Sequence, residues 1–216
     1  MRKATIGDLL SDGFRYSTTP YKRAILLGIL YLLSFLIIPM FLALGYIYRC
    51  IKGTIDGRDE LPEYGEWGRM LIDGLKLFVA YLIVIIPVVI IAFLFAAAPI
   101  GLAILNPYAM IGAMIPFFIT ALIIVILAGL YLFMAIPYMI YTGRIGAVFS
   151  FSEVMERIRR IGYGRYFAIC IVTIIIAWLL GLISSLIPVI GVILITPIAI
   201  ILMARVEGQV FKESMS

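Results

Sequence analysis

The side chains with the widest chemical range in this sequence are six carboxylates set close together: Asp56, Asp59, Glu60, Glu63, Glu66 and Asp73. Neighbouring carboxylates divide acid and base work when their surroundings push their pKa values apart. These six alternate with Arg49, Lys52, Arg58, Arg69 and Lys76, so a solvated charged loop is the simpler expectation. The sequence has no histidine. Its two cysteines, Cys50 and Cys170, lack metal-ligand spacing and read as small apolar fillers. Gly162-Tyr163-Gly164 is too short for a nucleotide-binding loop. No catalytic residue, cofactor or metal ligand is assigned, and a non-enzymatic protein is expected.

The best basic cluster is Arg157, Arg159, Arg160 and Arg165. Beside a cytoplasmic leaflet each arginine is worth about 1 kcal/mol against anionic lipid. The four are therefore candidates for lipid-headgroup contact, although topology enforcement alone would also place them there. Tyr64 and Trp67 are amphipathic rings suited to the headgroup zone and are candidate interfacial anchors. The basic residues are dispersed among acids, so nucleic acid is not an expected partner.

The elements that must position these residues follow from composition. Of 216 residues, 64% are hydrophobic and 13% charged, against about a quarter charged in a soluble domain. Three stretches, 24–48, 77–143 and 166–204, contain no Lys, Arg, Asp or Glu. A charge at the bilayer centre costs ~2.5–3.5 kcal/mol, so these stretches read as membrane-embedded. The first three charged blocks that flank them are rich in Lys and Arg and belong on the cytoplasmic side by the positive-inside rule. Each stretch must then cross an even number of times.

Stretch 166–204 divides at Gly181–Gly191 into crossings near 166–184 and 189–207. Stretch 77–143 divides at the turn chemistry of 98–108 into crossings near 76–97 and 113–142. Pro87, Pro116 and Pro137 are expected to kink them or mark ends. Stretch 24–48 admits two readings. A hairpin broken at Pro39, with arms 19–37 and 40–56, keeps the N-terminus cytoplasmic and is preferred. A single crossing would put the N-terminus outside. No cleavable signal peptide is expected, because the apolar run begins only at Ala24.

A short segment with apolar residues at i, i+3, i+4 and i+7 precedes each stretch. The first places Ile6, Leu9, Leu10, Gly13 and Phe14 on one face. The second places Trp67, Met70, Leu71, Gly74, Leu75 and Phe78 there, opposite Glu66, Arg69, Asp73 and Lys76. The third places Phe151, Val154, Met155, Ile158 and Ile161 opposite Glu153, Glu156, Arg157, Arg159 and Arg160, with Ser150-x-x-Glu153 as a capping box. Each predicts an amphipathic helix lying in the headgroup plane; a helix packed on its own protein is the plainer alternative. The expected fold is all-α and membrane-integral. It has about six transmembrane helices in three hairpins, each preceded by an interfacial helix, in one domain with pseudo-repeats 1–58, 59–148 and 149–216.

Gly45-Tyr46 with Arg49, Leu61-Pro62-Glu63-Tyr64 with Trp67, and Asp73-Gly74-Leu75-Lys76 running to Tyr81 and Pro87 resemble the membrane family catalogued as domain of unknown function 4013, found mainly in archaea. The resemblance is most specific over 39–87. It implies a multi-pass membrane protein and brings no activity with it.

The expected role is membrane-organising or lipid-interacting, or that of a partner subunit, through the amphipathic helices. The expected partners are membrane lipids and a second copy or another membrane protein. The expected location is the cell membrane with both termini cytoplasmic. The competing role is a permease or channel component with a polar midplane cavity drawn from Thr120, Thr173, Ser184 or Tyr131. A lipid-modifying enzyme is the third reading.

Overall fold

The computed structural model describes residues 4–105 and 107–215; at 95–100, 102–105, 107 and 109–111 it describes the backbone alone. Every regular element among the described residues is helical: α1 (Ile6–Thr18), α2 (Tyr21–Leu32), α3 (Ile37–Ile55), α4 (Trp67–Leu105), α5 (Pro107–Thr142), a 3-10 turn at Ile145–Phe149, α6 (Phe151–Ile161), α7 (Tyr163–Leu186), α8 (Pro188–Leu194) and α9 (Thr196–Glu213). Four helical segments are long and apolar enough to cross a membrane: Trp67–Leu94, Gly112–Thr142, Tyr163–Leu186 and Pro188–Glu213.

Stretch 24–48 is broken, but before Pro39. The break falls at Leu33–Leu36, where Ser34 and Leu36 donate backbone bonds to Tyr31 and Leu33 carbonyls. Pro39 is the third residue of α3, where an amide hydrogen has no intrahelical acceptor, so the ring starts the helix instead of ending one. Neither α2 nor α3 is among the four long apolar helices; α2, with 12 residues, is only about 18 Å long.

The second expected interfacial segment is not a separate element. Trp67 opens α4, which continues without interruption for 39 residues, about 58 Å. No turn-forming sequence separates 67–78 from the apolar run, so the helix simply propagates. It also runs through Pro87, as α5 runs through Pro116 and Pro137. Within the expected turn over 98–108, α4 continues to Leu105 and α5 begins at Pro107, and Asn106 lies outside the described residues. By contrast α1 ends before Pro20, and α6 ends at Gly162, whose φ of 100° is open to glycine.

Helix starts differ as well. Thr5 and Asp8 form a reciprocal capping box on α1, with Thr5 N–H donating to the Asp8 carboxylate at 2.8 Å and Asp8 N–H to Thr5 Oγ1 at 3.1 Å. The box expected at Ser150 does not form. The 3-10 turn runs directly into α6 and leaves Ser150 at ψ 64°, away from the extended backbone a cap needs.

The chain divides into two compact units, residues 1–79 with 133–216, and residues 80–132. In the first, α9 is the central element, packed by α1, α3 and α7, while α2 lies on α8 and α3. Its interior is filled by Tyr16, Tyr46, Ile51, Met70, Ile169 and Phe211, all under 2% exposed. The second unit is the apolar middle of α4 and α5. Its side chains point largely outward, with Ile90, Phe93, Ile115, Phe118 and Leu122 more than half exposed. Exposed apolar surface of that extent marks a lipid or protein contact.

Candidate functional site

Arg205, on α9, is 5% exposed and draws three parts of the first unit together. Its Nε donates to Asp12 on α1 and its Nη2 to Asp59, each at 2.8 Å. Its Nη1 donates to the Arg58 carbonyl at 2.6 Å, and its guanidinium lies 4.4 Å from the Tyr16 ring. Gln209, one turn on, donates to the same Asp12 oxygen. A planar fork with five donors can serve a carboxylate, a carbonyl and a second carboxylate at once, which an ammonium cannot. Burial works to raise the Asp12 pKa, but the hydrogen bonds and charges of Arg205 and Arg15 outweigh it and hold the carboxyl below its usual range.

Residues 56–66, with Arg205 at one end, are fixed at the other by α2 and α3. Arg49 donates to the Gly65 carbonyl at 2.8 Å and Arg23 donates to the Leu61 carbonyl. Tyr46 donates to the Pro62 carbonyl at 3.0 Å and Tyr64 to the Arg23 carbonyl at 2.9 Å. The Tyr46 and Tyr64 rings stack 4.2 Å apart, and Leu61 is buried beneath. Loss of water pushes the Tyr64 phenol up from its ordinary pKa. The expected charged loop is thus a loop, but one with its carbonyls bound by side chains.

Below it α3 and α4 cross at two glycines. A Cβ at Gly74 would sit 1.9 Å from the Phe41 carbonyl oxygen, and one at Gly45 would sit 1.8 Å from the Met70 oxygen. Only glycine allows this approach. The crossing buries Asp73, which the periodicity assigned to a polar face, and leaves Ile72 and Leu75 about half exposed.

These walls enclose a cleft of about 620 Å³, lined among others by Arg49, Lys52, Arg58, Glu66, Arg69 and Asp73. It is the candidate site. Four of the six carboxylates singled out by sequence line it, and each faces a cation: Asp56 faces Arg58 at 3.8 Å, Glu63 Arg23 at 2.8 Å, Glu66 Arg69 at 3.0 Å and Asp73 Lys76 at 3.3 Å, while Asp59 is held by Arg205.

The four arginines named as candidates for lipid-headgroup contact stand in separate environments. Arg157 is held between the Tyr138 and Phe211 rings, 4.8 Å from each. Arg160 pairs with Glu156 at 2.8 Å on the same helix. Arg165 pairs with Glu213 at 2.9 Å and donates to the Ala4 carbonyl at 2.7 Å. Arg159 is exposed and lines a shallow depression of about 280 Å³ with Ser152, Met155, Glu156 and Tyr163. Of α6's apolar residues, Val154, Ile158 and Ile161 are buried in the protein, while Phe151 remains 63% exposed. Of the two candidate anchors, Tyr64 turns its ring inward onto Tyr46, and Trp67 is 48% exposed, 6.1 Å from Tyr64.

Cys50 and Cys170 are buried free thiols. Ser184 and Thr196 hydroxyls meet at 2.9 Å, and Thr173 Oγ1 is buried without a partner among the described residues. Thr120 and Tyr131 belong to the other unit. Sequence reasoning assigned no role to Arg205. The available signal was its position as the first charge after the 39 residues of 166–204, which hold no Lys, Arg, Asp or Glu.

Residues 31–189 match the family model described as "Protein of unknown function (DUF4013)". The chain belongs to that family. No curated protein and no solved structure matches it. The motifs that carried the resemblance are the ones that interlock here: Gly45 with Gly74, Tyr46 with Pro62 and Tyr64, and Arg49 with Gly65.

Proposed function

We propose that this is a multi-pass protein of the cell membrane that works by binding and not by catalysis, organising lipid or serving a partner subunit through its charged end. The carrying observation is the contrast between apolar helices with exposed side chains and a charge-rich end locked by the Arg205 network. A scaffold needs a rigid surface at the headgroup level and a greasy perimeter, and both are supplied. In this reading α2 and α3 form a first hairpin, α4 and α5 a second, and α7 with α8–α9 a third, giving six passes with both termini cytoplasmic. Arg159 and the exposed Phe149 and Phe151 offer α6 a contact with the leaflet.

Two measurements test this. Cysteines introduced at Glu60 and at Ser152 are expected to react with a membrane-impermeant maleimide from one side only, and the same side. Full-length protein in nanodiscs is expected to unfold at higher temperature when phosphatidylcholine is doped with phosphatidylglycerol. Labelling from opposite faces removes the topology, and indifference to the anionic lipid removes lipid binding as the role.

A permease or channel component is the second reading. It is favoured by the broken course of α7, α8 and α9 and by the unpartnered Thr173 hydroxyl, because discontinuous helices accompany substrate sites in transporters.

A further inference from the structure

We infer that the cleft between α3, the 56–66 loop and the start of α4 is a seat for the phosphodiester headgroup of one anionic membrane lipid, with Lys52 as the cation that receives it. This rests on the lipid-binding reading above and assigns it to a place other than the α6 arginines.

The argument begins with charge accounting inside the cleft. Its lining carries four basic and four acidic residues, which at first sight is neutral. Each of the four acids, Asp56, Glu63, Glu66 and Asp73, already has a cation within 4 Å. Three of the four basic residues are likewise engaged. Arg49 serves the Gly65 and Glu66 carbonyls, Arg58 faces Asp56, and Arg69 faces Glu66. Lys52 makes no hydrogen bond or ion pair with a described residue, and it is exposed at the cleft wall. One uncommitted positive charge matches one phosphodiester, which carries one negative charge. A free ammonium finds no uncommitted carboxylate there, so a zwitterionic headgroup gains less than an anionic one.

The second observation concerns what flanks the cleft. Arg69 and Asp73 line it from α4, and Ile72 and Leu75 on the adjoining face of the same helix are 54% and 45% exposed. That stripe leads into the longest apolar run of the Trp67–Leu94 segment. A ligand with a phosphate and no hydrocarbon would leave the stripe bare. A phospholipid occupies both, with its phosphate at Lys52 and an acyl chain along Ile72 and Leu75. The volume, about 620 Å³, is in the range of small-ligand sites and exceeds what a bare phosphate needs. The wall is preformed, since Arg49 and Tyr46 hold the loop carbonyls without any ligand's help.

The test uses the full chain in nanodiscs of phosphatidylcholine with a rising fraction of phosphatidylglycerol. Trp67 emission is read in a Trp178→Phe background, since Trp67 lies 6.1 Å from the cleft residue Tyr64. A saturable change is expected, weakened about tenfold by Lys52→Ala, restored by Lys52→Arg and untouched by Ala at the exposed Arg144, which lies outside the cleft lining (Arg144→Ala). Lys52 is exposed, so its removal leaves the packing intact, and unchanged circular dichroism checks this. Glycerol 3-phosphate and inorganic phosphate, added to discs of phosphatidylcholine alone, are expected to produce no comparable change. If either binds as tightly as the lipid, the site is a soluble-anion site and the lipid assignment falls. If the lipid response survives Lys52→Ala as fully as Arg144→Ala, the cleft is the wrong place, although lipid binding as a role still stands. If the parent protein shows no response to the anionic lipid, both ideas fall.

Discussion

The charge-rich end of the first unit and the apolar middle of α4 and α5 use the same secondary structure for opposite purposes. At the charged end, helices meet through glycine, and polar side chains reach backbone carbonyls of distant residues. Gly74 meets the Phe41 carbonyl, and Arg205 meets the Arg58 carbonyl. In the middle of the two long helices, Gly129 would have nothing within 4 Å of an added Cβ, and large aliphatic residues face outward. The first region is specified by named contacts. The second is specified by hydropathy alone, because lipid accepts any apolar surface. The difference teaches that an exposed isoleucine here says where the protein resides, and a buried arginine says how it is built.

The sharpest break of this contrast is a glycine exchange. Gly74→Leu puts a side chain into the Phe41 carbonyl and is expected to abolish a monodisperse folded protein, whereas Gly129→Ala is expected to raise stability by up to about 1 kcal/mol. Size-exclusion profiles and thermal unfolding in detergent distinguish the two.

Next in size is the arginine hub. Arg205→Ala leaves Asp12 only Arg15 and Gln209, takes the donor from the Arg58 carbonyl and is expected to cost about 3–5 kcal/mol, the usual toll for removing one partner of a buried ion pair. Arg205→Lys is expected to recover only part of it, because one ammonium cannot reach all the acceptors. A chemical-denaturation midpoint for each variant reads this directly.

A smaller effect is expected from pH. The Asp12 carboxyl is held below its ordinary range in the folded protein, so its contribution is present above the unfolded pKa of about 3.9 and is lost as pH falls through the lower folded value. Asp12→Asn should flatten the acid limb of a stability curve taken from pH 5 downward. A parent curve already flat there would mean that the pair with Arg205 contributes nothing.

The smallest effect is expected in the apolar middle. Ile123→Cys carrying a spin label is expected to relax with oxygen, and Arg159→Cys with a water-soluble nickel chelate, with little change in stability for either. Both native residues are exposed. Relaxation of both by the same reagent would erase the distinction between the two surfaces.

Much of the helical layout could be read from the residues. Uncharged runs predicted long apolar helices, and four segments meet that description. The site was less legible, for reasons of geometry. Periodicity assigned Asp73 to a polar face because it counts only neighbours on one helix, and α3 crosses there at Gly45. The basic cluster at 157–165 looked like one patch because its members are close in sequence. On a helix, Arg157, Arg159 and Arg160 point in different directions, and each found a different environment. Pro39 misled by one helical turn, since a proline serves as well at the start of a helix as at its end.

The pairing of Arg205 with Asp12 and Asp59 has a bearing on the order in which the molecule is made. Asp12 leaves the ribosome 193 residues ahead of its partner, and Asp59 146 residues ahead. At ~5–20 residues per second the earlier carboxylate waits some ~10–40 s in water before the guanidinium emerges. Until then α1 lacks α9, the helix against which it chiefly packs. The Arg205 hub therefore closes only after α2 to α8, which lie between its partners in the chain, have all been made.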